Sequence, residues 1–196
     1  MSSIERIYLA RHGRTEWNVA GRRQGRLDSP LTPDAIEHTK GLAQVVAGAP
    51  VDGIFASPLG RAAATAAIFA KALDLDVTTV EELAEVDHGS MSGLTNAEIE
   101  ARYPGEPERR RRDKYRWSFP GGESYADADR RAAAALRIVA DAGCRVPLVV
   151  SHEMIGRMLL RHLLDLAPAD ALALDHPHDV VFRVEPAAKR LTELRA

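Results

Sequence analysis

The chain has a single cysteine, Cys144, among its 196 residues. It therefore lacks both an internal disulfide framework and a zinc cluster built from cysteines. It also lacks any apolar run near the ~18–20 residues that a membrane-spanning helix needs. The N-terminal stretch has no basic region followed by a long apolar run, which argues against a secretory signal peptide. We therefore expect a cytoplasmic protein that does not bind a membrane.

An excess of charge of one sign is also missing, because 26 lysines and arginines nearly balance 28 aspartates and glutamates, for a net charge of −2. This balance argues against a nucleic-acid coat and against a strongly basic membrane-surface protein. The length fits a single domain over residues 1–196, large enough to bury about 70% of its unfolded surface. We expect this domain to be a monomer or a homodimer.

Short apolar runs alternate with longer amphipathic ones along the chain. Buried strands are predicted over residues 4–10, 52–56 and 146–150, with further strands over 179–185 and 190–194. Helices are predicted over residues 32–48, 58–73, 95–103, 124–142 and 153–164. Thr32 before Pro33, and Thr95 three residues before Glu98, are typical helix starts. The alternation predicts a three-layer α/β/α sandwich with a mostly parallel central sheet and an antiparallel edge strand.

Side chains suited to an anion follow three of the predicted strands. Arg11 and His12 come directly after the first strand, and Arg61 lies shortly after the second. His152 follows the third. Ligands of open α/β sheets bind beyond the carboxyl ends of the strands, where helix N-termini also favour anions. The sequence therefore predicts that these four side chains converge on one phosphate-binding pocket.

The run at residues 9–18, LARHGRTEWN, resembles the signature of the histidine phosphatase superfamily, which is also called the phosphoglycerate-mutase-like family. Similar blocks stand in the family's order at residues 24–32, 57–62, 83–89 and 150–152. The resemblance implies a phosphomonoester hydrolase that works through a phosphohistidine and needs neither a metal nor a cofactor. It implies that six residues attack or hold the phosphate: Arg11, His12, Gly13 through its backbone, Asn18, Arg61 and His152.

The chemistry of these residues fits the implied roles. Neutral imidazole is a competent nucleophile near pH 7, and a covalent intermediate divides a difficult hydrolysis into two easier steps. The adjacent cation Arg11 disfavours protonation of His12 and so keeps this nucleophile available. Arginine and histidine donors stabilise the charge that spreads over the phosphoryl oxygens in the transition state.

The leaving alkoxide needs a proton, and the second step needs a base for water. Four acidic residues lie close together in the sequence: Glu81, Glu82, Glu85 and Asp87. The residues alone do not choose among them, since each could also be a solvated loop acid. The resemblance to the family implies that Glu85 is the general acid and base.

Residues 110–125 and 152–157 are similar to the corresponding parts of the fructose-2,6-bisphosphatase domain. This similarity implies that four residues bind the part of the substrate remote from the scissile bond: Arg110, Lys114, Tyr125 and Arg157. Two departures concern Asn96, where the relative has tyrosine, and Glu153, where it has glutamine. The Glu153 carboxylate would repel an anionic ligand unless it turns towards Arg157. The basic run over residues 106–116 is also typical of a solvated helix face.

The predicted partner is a small phosphorylated metabolite, such as the sugar bisphosphate fructose 2,6-bisphosphate. One alternative is a 2,3-bisphosphoglycerate-dependent phosphoglycerate mutase. The interval from Glu85 to His152, 152 − 85 = 67 residues, is short for that alternative. Another alternative is a non-catalytic module that binds a phosphorylated ligand, which we expect to lack His12 or Glu85.

Several histidines could instead suggest a metal site, above all the close pair His176 and His178. No HExxH motif is present, and the pair flanks a proline in a predicted loop. We therefore predict that His176 and His178 have capping or turn roles and that no metal is bound. His38, on the predicted helix over residues 32–48, is expected to be solvated.

Overall fold

A computed structural model describes residues 4–196. Its centre is a six-stranded sheet in the order β3-β2-β4-β1-β5-β6. The strands are β1 (Ile7–Arg11), β2 (Gly53–Ala56), β3 (Val77–Thr79), β4 (Pro147–Ser151), β5 (Val181–Glu185) and β6 (Arg190–Leu194). The first four strands run parallel, whereas β5 pairs antiparallel with β1 and β6 pairs antiparallel with β5. The predicted mixed sheet with an antiparallel edge is confirmed.

Eight α-helices connect and cover these strands in the described part of the chain. They are α1 (Glu16–Val19), α2 (Pro33–Ala47), α3 (Gly60–Leu73), α4 (Asn96–Arg102), α5 (Glu106–Arg112), α6 (Tyr125–Asp141), α7 (Glu153–Leu164) and α8 (Pro168–Ala173). The predicted start of α2 is confirmed, since the Thr32 side chain accepts a hydrogen bond from the Ala35 N–H. The predicted capping box of Thr95 and Glu98 is also present at α4. None of the described helices is both long enough and apolar enough to span a bilayer.

Alternating side chains of the central strand divide the core into two layers. Ile7 and Leu9 of β1 join a cluster that includes buried residues of α6 and α7. Tyr8 and Ala10, one step along, join a second cluster that includes buried residues of α2 and α3. Because successive strand residues point to opposite faces, one short apolar strand supports helices on both sides. The predicted α/β/α sandwich is therefore confirmed.

Three short elements were not predicted from the sequence: β3, α1 and α8. In β3 only three residues pair with β2, and Thr78 and Thr79 are exposed, so no apolar pattern marks the strand. The basic run contributes α5, which ends after seven residues and carries salt bridges along its own exposed face. The first strand begins at Ile7 rather than residue 4, since its pairing with β5 starts at Ile7 and its pairing with β4 starts at Tyr8.

The start of α3 depends on a distant residue. The predicted helix over residues 58–73 begins at Gly60, and its N-cap residue, Leu59, supplies no side-chain hydrogen bond. The Asp28 carboxylate instead accepts hydrogen bonds from the backbone N–H groups of Gly60 (2.8 Å) and Arg61 (3.2 Å). This carboxylate satisfies N–H groups that have no partner within the helix, and it fixes the helix turn that carries Arg61.

Candidate active site

The carboxyl ends of three neighbouring strands meet at one edge of the sheet. Arg11 ends β1 and His12 follows it, Arg61 lies in the first turn of α3 after β2, and His152 is the N-cap of α7 after β4. A cavity of about 220 Å³, hereafter the phosphate cavity, opens at this edge. Its lining includes Arg11, His12, Asn18, Arg61 and Glu85. The His152 ring lies behind it, 5.1 Å from the His12 ring between centroids.

His12 is buried and held in one orientation. Its Nδ1 lies 2.8 Å from the carbonyl oxygen of Gly13. Because a carbonyl oxygen can only accept, Nδ1 must carry the ring proton, and Nε2 then keeps its lone pair. The His12 carbonyl oxygen in turn accepts a hydrogen bond from Nδ1 of His178, at 2.7 Å. The imidazole is therefore fixed with Nε2 as its nucleophilic atom.

The electrostatic surroundings keep both central histidines neutral. Burial holds the pKa of His12 well below 6.5, and nearby Arg61, His178 and Arg11 lower it further. Burial likewise lowers the pKa of His152, again with help from Arg61. At neutral pH the His12 ring is therefore neutral and its Nε2 is unprotonated, as a nitrogen nucleophile requires.

Two arginines that line the cavity each have a buried N–H group without a partner among the described residues. Arg61 is anchored by its terminal nitrogens, which donate to the carbonyl oxygens of Leu27 and Gly25, each at 2.7 Å. Arg11 is anchored by a 2.9 Å bond from Nη1 to the His176 carbonyl oxygen. Nε of each arginine is buried without a hydrogen-bond partner among residues 4–196. Unsatisfied buried donors are costly, and two at one cavity suit an anion.

His152 adds a third polar atom to this set. Its Nε2 lies 2.7 Å from the Ser57 hydroxyl oxygen, whereas its buried Nδ1 has no partner in the described residues. The Ser57 contact joins the end of β4 to the loop after β2 and so fixes the imidazole ring. The arrangement leaves Nδ1 as a further group for an anion held beside His12.

Glu85 is the acid that the fold brings to the cavity. Its Oε1 accepts hydrogen bonds from the N–H groups of Val86 (2.9 Å) and Ile155 (3.0 Å). Its Oε2 accepts one from the Met154 N–H at 3.1 Å. The carboxylate thus caps the start of α7 and lines the phosphate cavity. Glu81, Glu82 and Asp87, the other three acids considered from the sequence, do not line it.

The loop that carries Glu85 is held by Arg131, which the sequence analysis did not identify. Nη1 of Arg131 donates to the carbonyl oxygens of Glu82 and Ala84, at 2.9 and 2.8 Å. The same guanidinium forms a 2.8 Å salt bridge with Glu123, and Glu123 also accepts a hydrogen bond from the N–H of Asp87. No short motif marks such an arginine, because its partners are backbone carbonyls distant in the chain.

The two remaining predicted phosphate contacts have different surroundings. Asn18 lines the cavity, and its Oδ1 accepts from the N–H and the hydroxyl of Thr15, so its NH₂ group is the part left for a ligand. Gly13 does not line the cavity. Its N–H donates to the Thr65 hydroxyl at 2.9 Å, and its carbonyl accepts from His12. The structure does not support the prediction that the Gly13 backbone binds phosphate; both of its polar groups are used to position the loop.

Three of the four predicted substrate-binding residues line the cavity, namely Arg110, Tyr125 and Arg157. Lys114 does not. Its Nζ lies 3.4 Å from the Leu172 carbonyl oxygen and 5.7 Å from the centroid of the Tyr125 ring, behind the cavity wall. The structure therefore does not support a direct substrate contact for Lys114.

Glu153 connects two arginines that line the phosphate cavity, Arg11 and Arg157. One carboxylate oxygen lies 2.8 Å from Nη2 of Arg11, and the other lies 2.7 Å from Nη2 of Arg157. Arg157 also donates to the Tyr125 hydroxyl and to the Leu174 carbonyl oxygen. Glu153 does turn towards Arg157, as the sequence analysis had considered. It thereby occupies the position where Arg157 could hold a second anion.

The cavity also contains residues that the sequence analysis did not select, including Arg22, Arg23, Gln24 and His88. Gln24 begins the block at residues 24–32 that resembles the family, and this resemblance could have identified it as a site residue. His88 is buried, with its ring stacked on Phe119 at 4.3 Å. No pattern distinguished Arg23 from other loop arginines.

The histidines outside the centre have structural contacts. The predicted turn or capping role of His176 is wrong, because its side chain is fully buried and stacks on Phe182 at 5.0 Å. His178 supports the His12 backbone, as described above. His38 is exposed, as predicted. No group of three or more histidine, cysteine or acidic side chains within residues 4–196 is placed to hold a metal ion.

Acid should destabilise the fold through its buried histidines. Burial lowers the pKa of five of them: His12, His88 (to about 3), His152, His176 (to about 3) and His178 (to about 4). Below pH 6.5 the unfolded chain binds more protons than the folded chain. The free energy of unfolding therefore decreases as the pH is lowered. Between pH 7 and 5.5 we expect a loss of about 1 kcal/mol per buried histidine. Urea unfolding at both values measures it.

A matched pair of variants identifies the source of this pH dependence. His176→Asn should reduce the slope of unfolding free energy against pH, because a titrating buried group is removed. His38→Gln should leave the slope unchanged, since that ring is exposed. An unfolding free energy that stays constant from pH 7 to 5.5 would contradict the prediction.

Comparison with known proteins agrees with this geometry. Residues 7–195 match the family model described as histidine phosphatase superfamily (branch 1). The chain is 33% identical over 183 residues to phosphoserine phosphatase 1 of Hydrogenobacter thermophilus, covering 92% of this chain and 87% of that protein.

Two further relatives widen the comparison. The chain is 34% identical over 185 residues to 6-phosphofructo-2-kinase/fructose-2,6-bisphosphatase of Caenorhabditis elegans, covering 93% of this chain but only 39% of that longer protein. The structure of mycobacterial glucosyl-3-phosphoglycerate phosphatase in complex with VO3 superposes with a TM-score of 0.81 at 30% identity. That match covers 91% of this chain and 90% of the other.

Proposed function

The chain belongs to the histidine phosphatase superfamily and is an enzyme of the phosphoric monoester hydrolase type; we propose that it hydrolyses a small phosphorylated metabolite through a phosphohistidine at His12. The observation that carries the proposal is the His12 ring, whose bond to Gly13 leaves Nε2 with a lone pair in a cavity that is also lined by Arg11 and Arg61, each with an unpartnered Nε. A nucleophile and two anion donors at one cavity suit phosphoryl transfer.

In the first step Nε2 of His12 attacks the phosphorus atom. The bond from phosphorus to the leaving oxygen breaks, and Glu85 donates its proton to that oxygen. Arg11, Arg61 and His152 stabilise the charge on the phosphoryl oxygens, and the Asn18 NH₂ group adds a neutral donor. The products of this step are the free alcohol, phosphorylated His12 and ionised Glu85.

In the second step a water molecule attacks the same phosphorus atom. Glu85 accepts a proton from this water, and the bond between phosphorus and Nε2 breaks. Inorganic phosphate leaves, and His12 and Glu85 return to their starting protonation states. The backbone N–H groups around Glu85 hold its carboxyl group in place for both transfers.

Release of inorganic phosphate tests the proposal. We would incubate the protein with sugar phosphates, phosphoglycerates, phosphoserine and nucleotides, each with and without 2,3-bisphosphoglycerate. Release without the added bisphosphate is expected. Isomerisation of a phosphoglycerate that requires the bisphosphate would instead favour a mutase, and binding without turnover would favour a non-catalytic module.

Fructose 2,6-bisphosphate is one candidate within this proposal. The relationship to the bifunctional worm protein supports it, as do Arg110, Tyr125 and Arg157 at the cavity. Lys114 behind the cavity wall weighs against it, and so does the pairing of Arg157 with Glu153. We therefore propose that a monophosphate is the better substrate of the unmodified chain.

Glu153→Gln should shift this preference. The change removes one negative charge from the cavity and leaves Arg157 without a carboxylate partner. The value of kcat/KM for fructose 2,6-bisphosphate should rise relative to that for fructose 6-phosphate, roughly fivefold. Steady-state assays of both substrates measure the ratio, and Glu108→Gln, on the exposed face of α5, is the control. An equal change for both substrates would contradict the prediction.

A further inference from the structure

Ser57 joins the loop after β2 to the ring of His152. The residue is buried, with 1% of its surface exposed. Its hydroxyl oxygen has two polar contacts within residues 4–196. It accepts a hydrogen bond from the Leu59 N–H at 3.3 Å, and it lies 2.7 Å from Nε2 of His152. Since the first partner is itself a donor, the hydroxyl proton can go only to the second.

The contact with Leu59 therefore decides the direction of the bond to His152. A backbone N–H can only donate, so it cannot take the Ser57 proton. A buried hydroxyl proton without an acceptor is costly, and Nε2 of His152 is the acceptor that the described chain places beside it. The Ser57 hydroxyl thus donates to Nε2, and this nitrogen carries a lone pair rather than a proton.

This direction fixes the tautomer of His152. Burial lowers the pKa of His152 well below 6.5, and nearby Arg61 lowers it further, so at neutral pH the ring carries a single proton. Because Nε2 accepts, that proton lies on Nδ1. Nδ1 is buried and has no hydrogen-bond partner among the described residues. The ring therefore keeps one N–H group that no protein atom in this part of the chain uses.

The neighbouring ring of His12 carries its proton on the same nitrogen, with the opposite result. The Gly13 carbonyl accepts from its Nδ1–H, so the lone pair on Nε2 is left free. In His152 the hydroxyl of Ser57 uses the lone pair, and the N–H is left free. The two ring centroids lie 5.1 Å apart. Together the rings offer a nucleophile and a donor to one phosphoryl group, whereas the other tautomer of His152 would set a lone pair against the phosphoryl oxygens.

We propose that Ser57 is a positioning residue that holds His152 in the Nδ1–H tautomer, in which Nδ1 donates to an oxygen of the phosphoryl group transferred to His12. The proposal deepens the proposed function and rests on it, because it places that phosphoryl group beside His152. Loss of one preorganised donor to a transition-state oxyanion costs roughly 10²–10³-fold in kcat. Ser57→Ala leaves His152 free to adopt either tautomer, so we expect part of this loss, roughly ten- to a hundredfold in the phosphorylation rate.

The tautomer can be measured without any substrate. Long-range ¹H–¹⁵N correlation spectra of the protein labelled with ¹⁵N-histidine distinguish a protonated ring nitrogen from one that carries a lone pair. The signals of His152 are those that disappear in His152→Asn. At neutral pH the wild-type ring should carry its proton on Nδ1, and Ser57→Ala should shift the population towards the Nε2–H tautomer. A wild-type proton on Nε2, or an unchanged tautomer in Ser57→Ala, would overturn the proposal.

Rapid-mixing kinetics connect the tautomer to the reaction. In Ser57→Ala the phosphorylation rates for an alkyl phosphate and for p-nitrophenyl phosphate should fall by similar factors, because the phosphoryl oxygens are the same for both leaving groups. Ser57→Thr keeps the hydroxyl group and should keep both the tautomer and the rate. Ser118→Ala is the control, since this serine is exposed and does not line the phosphate cavity.

A double variant shows whether Ser57 acts through His152. In a His152→Ala background, the further change Ser57→Ala should lower the phosphorylation rate less than about twofold, because the ring that Ser57 positions is already gone. A loss as large as that in the wild-type background would overturn the proposal. A wild-type protein with its proton on Nδ1 that releases no phosphate would instead contradict the proposed function and leave the tautomer assignment in place.

Discussion

His12→Ala is expected to reduce kcat by roughly 10⁵–10⁶-fold, since loss of a covalent nucleophile removes the route through the intermediate. The effect should be equally large for p-nitrophenyl phosphate, because both activated and unactivated substrates need the same nucleophile. Steady-state release of inorganic phosphate measures kcat. Binding of inorganic phosphate should persist in the variant, since Arg11 and Arg61 keep their anchoring contacts.

His38→Ala supplies a matched control for this experiment. It removes an exposed histidine from α2, so kcat should stay at the wild-type value. If His12→Ala retained kcat within about tenfold of the wild-type protein, a different residue would have to be the nucleophile.

Glu85→Gln is expected to lower kcat for an alkyl phosphate by roughly 10²–10⁴-fold, the usual contribution of a general acid or base. Glutamine keeps the shape of the side chain but cannot deliver or accept the proton. The phosphorylation step of p-nitrophenyl phosphate should suffer less, because p-nitrophenolate leaves readily without a proton. Rapid-mixing measurements of the first p-nitrophenol release separate this step from the hydrolysis of the intermediate.

The variant also changes contacts at the start of α7, where the Glu85 carboxylate accepts hydrogen bonds from the N–H groups of Met154 and Ile155. The midpoint of thermal unfolding and the affinity for inorganic phosphate should therefore be measured together with the kinetics. Values close to those of the wild-type protein would show that the site of the variant is intact. Glu82→Gln is the control, since Glu82 does not line the phosphate cavity. Equal, small losses for both substrates in Glu85→Gln would mean that Glu82 or Asp87 transfers the proton.

The sequence predicted most of the central sheet because its strands are short apolar runs with clear ends. The polar residues directly after β1 and β4 could be placed at one edge for the same reason. The edge strand β3 was missed, since two of its three residues are exposed threonines and its structure depends on pairing with β2. Local pattern alone does not contain that information.

Within the site, residues next to strand ends were easier to predict than residues whose role depends on a distant partner. Arg11 and His12 needed only the position of β1. The Glu153–Arg157 salt bridge follows from a four-residue spacing on α7. The Glu153–Arg11 salt bridge instead depends on how α7 faces the end of β1, which no spacing in the sequence encodes. Lys114 matched a family pattern, yet its side chain turns to Leu172 behind the wall.

Transfer of phosphate to His12 is the central claim, and trapping the intermediate tests it most directly. The protein would be mixed with a ³²P-labelled substrate, quenched without acid within the first turnover, and digested for peptide mapping. We expect label that is labile in acid and stable in base, on the peptide that contains His12, and its absence in His12→Ala. Label on a serine or aspartate, or turnover by the wild-type protein without labelled His12, would contradict the account.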